Sequence, residues 1–201
     1  MKIFLASSNP GKLREYRELA GDAAIDLDLL PNFRDIPAFE ETAPTFAENS
    51  AGKALYYSKF RDGVVLADDS GLVVPALGGA PGVLSARYAG PGASDLDRVA
   101  KLLREMAGKT GAERRARFVC VTTIAQEGRA LAVVSESAEG VIADEPRGEG
   151  GFGYDPVFYF EALGRTYAEI SSTEKRAYSH RGKAFRKILY VLSPAFAATF
   201  G

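Results

Sequence analysis

The sequence predicts an α/β fold in which helices flank one twisted mixed sheet. Short apolar runs typical of strands alternate along the chain with segments that carry helix-start signals. The 201 residues, 46% of them hydrophobic, are enough to bury one sizeable core. No linker, repeat or low-complexity stretch divides the sequence, so we expect a single domain over residues 1–201.

Strand and helix signals alternate through the first third of the chain. Pro10 stands at the start of a helical pattern, where its missing N–H costs nothing. Thr45 and Glu48 have the spacing of a capping box and predict a second helix start. The predicted strands cover residues 2–6 and 25–30, and the predicted helices cover residues 10–20 and 45–60.

Two adjacent carboxylates, Asp68 and Asp69, follow the apolar run at residues 64–67. The Ser-Gly pair after them predicts a turn before a further strand at residues 72–74. Since successive strand side chains point to opposite faces, such a turn would allow both carboxylates to face one ligand. The ends of strands are where α/β sheets bind ligands. The alternative is that both are solvated acids of a turn.

The second half of the chain continues the alternation of elements. Ser94, three residues before Asp97, predicts a helix start, and Glu127-Gly128 predicts a hairpin turn between two long strands. The remaining predicted elements are a loop at 78–82, a helix from 94 to about 108, strands at 117–125 and 130–141, and a last helix that starts at Ser179 and ends before Pro194.

The charge balance argues against a protein that tracks a nucleic-acid polymer. The 25 Lys+Arg and 26 Asp+Glu give a formal net charge of −1, without the basic excess such proteins need. The single cysteine, Cys120, lies in an apolar run and indicates a small core residue. The apolar run at residues 3–6 is too short for a signal peptide, and nothing approaches a membrane span. We expect a cytoplasmic protein.

Cations occupy two helix starts, where the exposed N–H groups already make the helix end positive. Lys12 and Arg14 lie in or beside the first turn of the first helix, and His180, Arg181 and Lys183 in that of the last helix. A phosphate-bearing ligand at both ends would explain this placement. The alternative is that these long side chains extend into water.

Two nucleotide-binding motifs are matched only in part, because the flanking elements or residues that each motif requires are absent. Residues 148–153 fit the letters G-x-G-x-x-G, but a turn and a β-rich run follow them instead of a helix. Residues 108–110 resemble the end of a P-loop, but the earlier glycine is absent. The loop still offers Phe152, Tyr154 and Asp155 for stacking a base and hydrogen-bonding its edge. They could equally be ordinary core residues at a strand start.

Six motifs, in the same order along the chain, resemble those of the inosine triphosphate pyrophosphatase family. They are residues 7–12 (SSNPGK), 40–42 with 45–49 (EET and TFAEN), 67–72 (ADDSGL), 78–82 with 85–88 (GGAPG and SARY), 150–156 (GGFGYDP) and 179–182 (SHRG). Each motif alone is weak, whereas six in order are specific. The first motif departs from the usual Thr-Gly-Asn, because Ser7 and Ser8 precede Asn9 here.

The resemblance implies a function and an architecture. Enzymes of this family hydrolyse deaminated purine nucleoside triphosphates such as ITP, dITP and XTP to the monophosphate and pyrophosphate, which cleanses the nucleotide pool. The implied fold is an elongated twisted mixed sheet in two lobes, with the active site in the cleft between them. The implied partners are a small-molecule nucleotide substrate and a second copy of the chain in a homodimer, with no nucleic-acid polymer and no membrane.

The resemblance also implies roles for individual residues. Asp69 would be the proton acceptor that activates water for attack on the α-phosphorus, while Glu40, Asp69 and Asp68 would hold Mg²⁺. Glu41 stays open as an alternative to Glu40. The implied substrate-binding residues are Ser7, Ser8, Asn9, Pro10, Gly11, Lys12, Ser70, Phe152, Gly153, Tyr154, Asp155, Lys175, His180 and Arg181.

Two other functions compete with this one. The Maf-like nucleotide pyrophosphatases have a related architecture but favour pyrimidine or modified nucleotides, and the Phe152 loop with the motif at 179–181 argues against them. A non-catalytic nucleotide-binding module would not need Glu40 and Asp69 to converge on a metal. A test for Mg²⁺-dependent release of pyrophosphate separates it from an enzyme.

Overall fold

The computed structural model describes residues 2–21, 23 and 25–193 and confirms the α/β class. Its strands are β1 (Lys2–Leu5), β2 (Asp26–Leu29), β3 (Val64–Val73), β4 (Arg115–Gln126), β5 (Arg129–Ile142), β6 (Phe158–Phe160) and β7 (Arg165–Thr166). Its α-helices are α1 (Pro10–Gly21), α2 (Phe46–Tyr57), α3 (Asp95–Glu105), α4 (Ser172–Tyr178) and α5 (His180–Val191). Within the described residues the strands form a seven-stranded sheet in the order β2-β1-β3-β4-β5-β6-β7.

The sheet is mixed, as the sequence predicts. β1 lies parallel to β2 and β3, with Ile3 opposite Leu27 on one side and Val64 on the other. β6 is antiparallel to both β5 and β7. Glu127 and Gly128 join β4 to β5, and both have positive φ, 51° and 75°. Positive φ at both central residues is typical of a tight hairpin turn, which confirms the predicted hairpin.

The chain divides into two compact units, each assembled from separate stretches. The first contains the described residues up to Asp69, Cys120–Glu136 and the described residues from His180 onwards. The second contains Ser70–Val119 and Ser137–Ser179. The expectation of a single domain over the whole chain stays a prediction.

Apolar clusters in the first unit fix the helices that carry candidate site residues. Tyr16 of α1 packs edge-on against Phe185 of α5, with ring centroids 5.6 Å apart, in a cluster that includes Ile3 of β1. A second cluster packs Ala54 and Tyr57 of α2 against β1 and β3. Burial of these side chains supplies the main force that holds the helices on the sheet.

The second unit has its own core. Val99 and Leu102 of α3 are buried in a cluster with Phe118 of β4 and Phe158 of β6. Tyr167 joins them, and its ring lies 5.8 Å from that of Phe118 in a stacked arrangement. This packing places the start of α3 and the segment before β6 within one rigid core.

The acidic segment is part of a strand and not a turn. β3 runs without interruption from Val64 to Val73, so Asp68, Asp69 and the Ser-Gly pair all lie within it. The prediction that Ser70 begins a turn is therefore wrong. The strand lies between β1 and β4 in the sheet, and its place in the sheet outweighs the weak strand propensity of Ser and Gly. Successive carboxylates consequently point to opposite faces.

The C-terminal part differs from the predictions at α4, which the sequence analysis missed. The Ser171 side chain and Glu174 form a capping box at its start. α5 begins at His180, one residue after the predicted start, and ends at Val191. Pro194, expected to follow this helix, lies outside the described residues. Across the described residues, every helix is too short or too polar to cross a membrane.

Candidate active site

Asn9 shapes the N-terminus of α1. Its Oδ1 accepts hydrogen bonds from the backbone N–H groups of Gly11 at 2.8 Å and Lys12 at 3.1 Å. Its own N–H donates to Ser7 Oγ at 3.2 Å. These bonds fold the first motif into a compact turn over the helix start. Within it Ser7 is buried, while Ser8 is exposed.

Asp68 lies at the centre of a buried cluster of charges. Its fully buried carboxylate is 3.0 Å from Lys12 Nζ at Oδ1 and 3.4 Å from Arg181 Nη2 at Oδ2. Burial alone would raise the pKa of Asp68, but the charges of Lys12 and Arg181 outweigh it and hold the pKa well below its usual range. The cations at the starts of α1 and α5 therefore share one carboxylate supplied by the protein.

Arg181 connects α5 to α1. Its guanidinium forms an ion pair with Glu15 as well as with Asp68, and it lies 5.8 Å from the centre of the Tyr16 ring. The side chain is only 3% exposed. A planar guanidinium held by two carboxylates has a fixed orientation, so these contacts determine which way Arg181 can donate.

Cys120 adjoins this cluster without taking part in its charge balance. Its Sγ lies 3.8 Å from Asp68 Oδ2 and 3.4 Å from Thr122 Oγ1. Burial raises the pKa of the Cys120 thiol to about 11. The thiol is thus neutral at physiological pH, which confirms the interpretation of Cys120 as a buried core residue.

Asp69 has the opposite electrostatic environment to Asp68. Its Oδ2 accepts a hydrogen bond from Asn49 Nδ2 at 3.0 Å, and the residue is 6% exposed. Burial and the negative charge of Glu41 raise the pKa of Asp69 to about 6. The hydrogen bond from Asn49 lowers the pKa by less than these two effects raise it. Asp69 is therefore a carboxyl group that exchanges its proton close to neutral pH.

Glu41 and Lys53 form an ion pair beside Asp69. Burial would lower the pKa of Lys53, but the negative charge of Glu41 opposes this and, with the two aspartates, leaves the pKa raised. Lys53 thus stays cationic. Glu40 is exposed, whereas Glu41 is half-buried and acts on Asp69. Of these two glutamates, Glu41 is thus the one whose charge acts on Asp69, and the choice between them as metal ligand stays a prediction.

The remaining cations at the two helix starts differ in exposure. His180 is buried in the first turn of α5, and Lys183 is half-buried one turn on. Arg14 is exposed, which agrees with the alternative interpretation that its side chain extends into water. The sequence predicts the same role for all of these cations, whereas the fold buries only some of them.

The second unit holds the aromatic loop around Phe152. The Phe152 N–H donates to Asp155 Oδ2 at 2.8 Å, and the buried Lys175 forms an ion pair with the same carboxylate. Lys175 Nζ also lies 5.2 Å from the centre of the Phe152 ring. Tyr154 is buried, and its hydroxyl donates to the Ser85 carbonyl at 2.9 Å. Phe152 itself is half-buried.

The predicted site residues are divided between the two units. The group of the first unit contains Ser7, Ser8, Asn9, Pro10, Gly11, Lys12, Glu40, Asp68, Asp69, His180 and Arg181. The group of the second unit contains Ser70, Phe152, Gly153, Tyr154, Asp155 and Lys175. A site in a cleft between two lobes stays a prediction.

Comparison with known proteins identifies the family to which this chain belongs. The sequence model of the Ham1 family matches residues 3–191. This chain belongs to the Ham1 family. A dITP/XTP pyrophosphatase from Geobacillus kaustophilus is 49% identical over 187 residues, which cover 93% of this chain and 92% of that protein. A dITP/XTP pyrophosphatase from Thermus thermophilus is also 49% identical, over 94% of this chain and 90% of the relative.

Solved structures of the Ham1 family agree with the fold. A HAM1 protein from Coxiella burnetii matches with a TM-score of 0.83 and 42% identity, covering 96% of this chain and 98% of that one. A nucleoside-triphosphatase / dITP/XTP pyrophosphatase from Mycobacterium abscessus matches with a TM-score of 0.71 and 39% identity, covering 96% of this chain and 100% of the other. These matches confirm the resemblance seen in the sequence motifs.

Sequence reasoning missed two charged residues of this Ham1 site. Glu15 lies three residues after Lys12, so both can lie on one side of α1, and it pairs with Arg181. Lys53 lies one helical turn after Asn49 on α2, and both side chains act on Asp69. Helical spacing from a residue already assigned to the site was the available signal in each case.

Proposed function

We propose that this protein hydrolyses non-standard purine nucleoside triphosphates, such as dITP, ITP and XTP, to the nucleoside monophosphate and pyrophosphate. The observation that carries the proposal is Asp69, a buried carboxyl group whose pKa is raised to about 6 beside cationic side chains. Membership of the Ham1 family and the names of the relatives support the same reaction.

The proposed reaction uses Asp69 as the proton acceptor. A water molecule attacks the α-phosphorus, its proton passes to the Asp69 carboxylate, and the bond from the α-phosphorus to the pyrophosphate oxygen breaks. A general base works best when its pKa lies near the working pH, and a pKa of about 6 meets this condition while leaving Asp69 ionised at pH 7 and above. Asp68 is unsuited to this role, because its low pKa makes it a weak base.

The charges around Asp69 suit a polyphosphate together with a metal ion. The cations of the cluster are Lys12, Lys53 and Arg181, and its carboxylates are Glu15, Glu41, Asp68 and Asp69. Four carboxylates against three ammonium or guanidinium groups leave one negative charge in excess. The excess favours a divalent cation, and the cation in turn would permit the phosphate chain to approach.

We include Mg²⁺ as the cofactor in this proposal. Mg²⁺ accepts oxygen ligands and is commonly held by one or two carboxylates together with water and substrate phosphates. Asp69 and Glu41 provide such carboxylates, and burial together with the negative charge of Glu41 raises the pKa of Asp69. The described residues contain no cluster of three or more aspartate, glutamate, histidine or cysteine side chains that could hold a metal ion by themselves. The bound ion would supply charge neutralisation at the phosphates.

Nucleobase selection is assigned to the aromatic loop of Phe152 and to Arg181 and His180. Hypoxanthine and xanthine carry a carbonyl acceptor where adenine carries an amino donor, so donors in the site would favour the non-standard bases. Unpaired buried polar groups can discriminate by about 10⁴-fold. Arg181 already donates to Glu15 and Asp68, which constrains how it can approach a base. A homodimer, implied by the family resemblance, and a cytoplasmic location, expected from the sequence, complete the proposal.

A panel of nucleoside triphosphates tests the proposal. We expect Mg²⁺-dependent release of pyrophosphate from ITP, dITP and XTP with a far higher kcat/KM than from ATP, and GTP disfavoured by its extra amino group. Release of orthophosphate instead of pyrophosphate would contradict the proposed attack at the α-phosphorus. Equal kcat/KM for ITP and ATP would contradict the base selection while leaving the reaction class intact.

A further inference from the structure

Two carboxylates hold the turn from Phe152 to Asp155. Asp155 lies within the turn and accepts the Phe152 N–H. The second carboxylate comes from a distant part of the sequence, because Asp95 Oδ2 accepts the Gly153 N–H at 2.7 Å. Gly153 has a φ of +65°, and glycine enters and leaves this conformation readily. The hydrogen bond from Gly153 to Asp95 therefore selects one conformation of the turn.

Capping of α3 does not account for the position of Asp95. The N-cap residue is Ser94, and Asp97 completes the capping box, since its Oδ2 accepts the Ser94 N–H at 2.9 Å. An acid in the first turn of a helix is favourable in any orientation that faces the helix end. The specific contact of Asp95 with the Gly153 N–H goes beyond this general preference.

Arg98 fixes the direction of the Asp95 carboxylate. The Arg98 guanidinium forms an ion pair with Asp95 Oδ1 and donates to the carbonyl oxygens of Ala86 at 3.0 Å and Ala93 at 2.6 Å. Its side chain is 17% exposed. One oxygen of Asp95 is thus held by a guanidinium that is itself anchored, and the other oxygen holds the turn.

We propose that Asp95 is a positioning residue for nucleobase recognition, acting through the Gly153 N–H on the turn that presents Phe152. The inference rests on the proposed function, in which this turn faces the base. Tyr154 has an independent anchor in the Ser85 carbonyl. Loss of Asp95 therefore frees the Gly153 N–H, which lies between Phe152, whose N–H still donates to Asp155, and Tyr154, which keeps its own anchor.

Kinetics of Asp95→Ala, with Asp97→Ala as the matched control, test the proposal. Both residues are acids in the first turn of α3, but the Asp97 carboxylate bonds to Ser94 and not to the turn. We expect Asp95→Ala to raise KM for ITP about tenfold with kcat changed less than about threefold, and to lower the ITP/ATP ratio of kcat/KM. Inhibition by pyrophosphate, which has no base, should be unchanged. Asp97→Ala should leave all four quantities near wild type.

Hydrogen exchange at the Gly153 amide checks the contact independently of activity. Exchange should be faster in Asp95→Ala, unchanged in Asp97→Ala, and partly restored in Asp95→Asn, which keeps an oxygen acceptor. Unchanged exchange at Gly153, or a KM change matched by equally weakened pyrophosphate inhibition, would overturn the positioning role. A wild-type protein that released pyrophosphate from no nucleoside triphosphate would instead overturn the proposed function.

Discussion

At the scale of single residues, Asp68 and Asp69 are neighbours in β3 that face different partners. Asp68 meets Lys12 and Arg181, and Asp69 meets Asn49 and Glu41. The alternation of side chains along a strand produces this difference. One carboxylate is kept ionised as a structural counter-ion, and the other is kept close to its protonation point.

Replacement of Asp69 should separate activity from stability. Asp69→Asn removes the proton acceptor, so kcat should fall roughly 10²–10⁴-fold. The raised pKa of about 6 means that the ionised group destabilises the fold above that pH, and that the penalty disappears below the unfolded pKa of about 4. Without divalent cations, the variant should gain up to about 3 kcal/mol of unfolding free energy at pH 7.5 and nothing at pH 4. Denaturant titrations at both pH values check this, and lower stability at pH 7.5 would contradict it.

Replacement of Asp68 should have the reverse effect on stability. Asp68→Asn leaves Lys12 and Arg181 without their shared carboxylate, which should cost about 3–5 kcal/mol at pH 7. Because the folded pKa of Asp68 is lowered, its stabilisation is present above the unfolded pKa of about 4 and is lost as the pH falls further. Below that pH, the unfolding free energy of the wild type should therefore fall more steeply with decreasing pH than that of the variant. A variant as stable as wild type at pH 7 would show that the ion pairs contribute nothing.

The two adjacent glutamates provide a matched pair of variants. Glu41→Gln removes the charge that acts on Asp69 and the ion-pair partner of Lys53. We expect the Mg²⁺ concentration for half-maximal pyrophosphate release to rise at least about tenfold, since charge-assisted contacts are worth about 1.5–3 kcal/mol. Glu40→Gln, at an exposed position, should change it by less than about threefold. The opposite order would favour Glu40 as the metal ligand.

At the scale of elements, short-range signals identified most helices and strands. The N-cap of α2 at Thr45, the capping box of α3 and the Glu127-Gly128 turn each depend on residues close in sequence, and the structure shows all three. The capping box of Ser171 and Glu174 at the start of α4 is an equally local signal. The strand through Asp68 was not predictable in this way, because its neighbours in the sheet, β1 and β4, are distant in sequence.

The candidate site likewise contains residues that local motifs identify and contacts between residues distant in sequence. Motifs gave Asp69, Lys12 and the Phe152 loop, since each occupies a characteristic short pattern. Ion pairs such as that between Glu15 and Arg181 join residues 166 positions apart. No local pattern specifies such a pair, so only the fold reveals which cations are neutralised by the protein.

The first turn of α1 allows a prediction about its two cations. Lys12→Ala removes an ammonium that is 13% exposed and pairs with buried Asp68, whereas Arg14 is exposed. We expect Lys12→Ala to lower the unfolding free energy by about 1–3 kcal/mol and to weaken pyrophosphate inhibition about tenfold. Arg14→Ala should change stability by less than about 0.5 kcal/mol. Equal effects of the two variants would indicate that the helix end, not the Asp68 pair, determines the role of Lys12.

At the scale of the whole molecule, the two units carry different parts of the proposed chemistry. The first unit contains the carboxylates and cations suited to phosphate and metal, and the second contains the aromatic loop assigned to the base. Each group is organised by contacts within its own unit. Variants of the first group other than those of His180 and Arg181, which the proposal also assigns to the base, should therefore alter metal and pyrophosphate binding, and variants of the Phe152 loop should alter base selection.

Removal of Mg²⁺ provides a test of the excess negative charge among the charged side chains around Asp69. A ligand that binds only the folded state stabilises it by mass action, and Mg²⁺ at ten times its Kd should contribute about 1.4 kcal/mol. For a chain of 201 residues this corresponds to a rise in Tm of about 3–5 °C over the chelator-treated protein at pH 7.5. At pH 4.5 Asp69 is largely protonated, because its pKa is about 6, and the rise should vanish. In Asp69→Asn, Mg²⁺ should not raise Tm at either pH. An undiminished rise in Tm in that variant would show that Mg²⁺ binds at a site without Asp69.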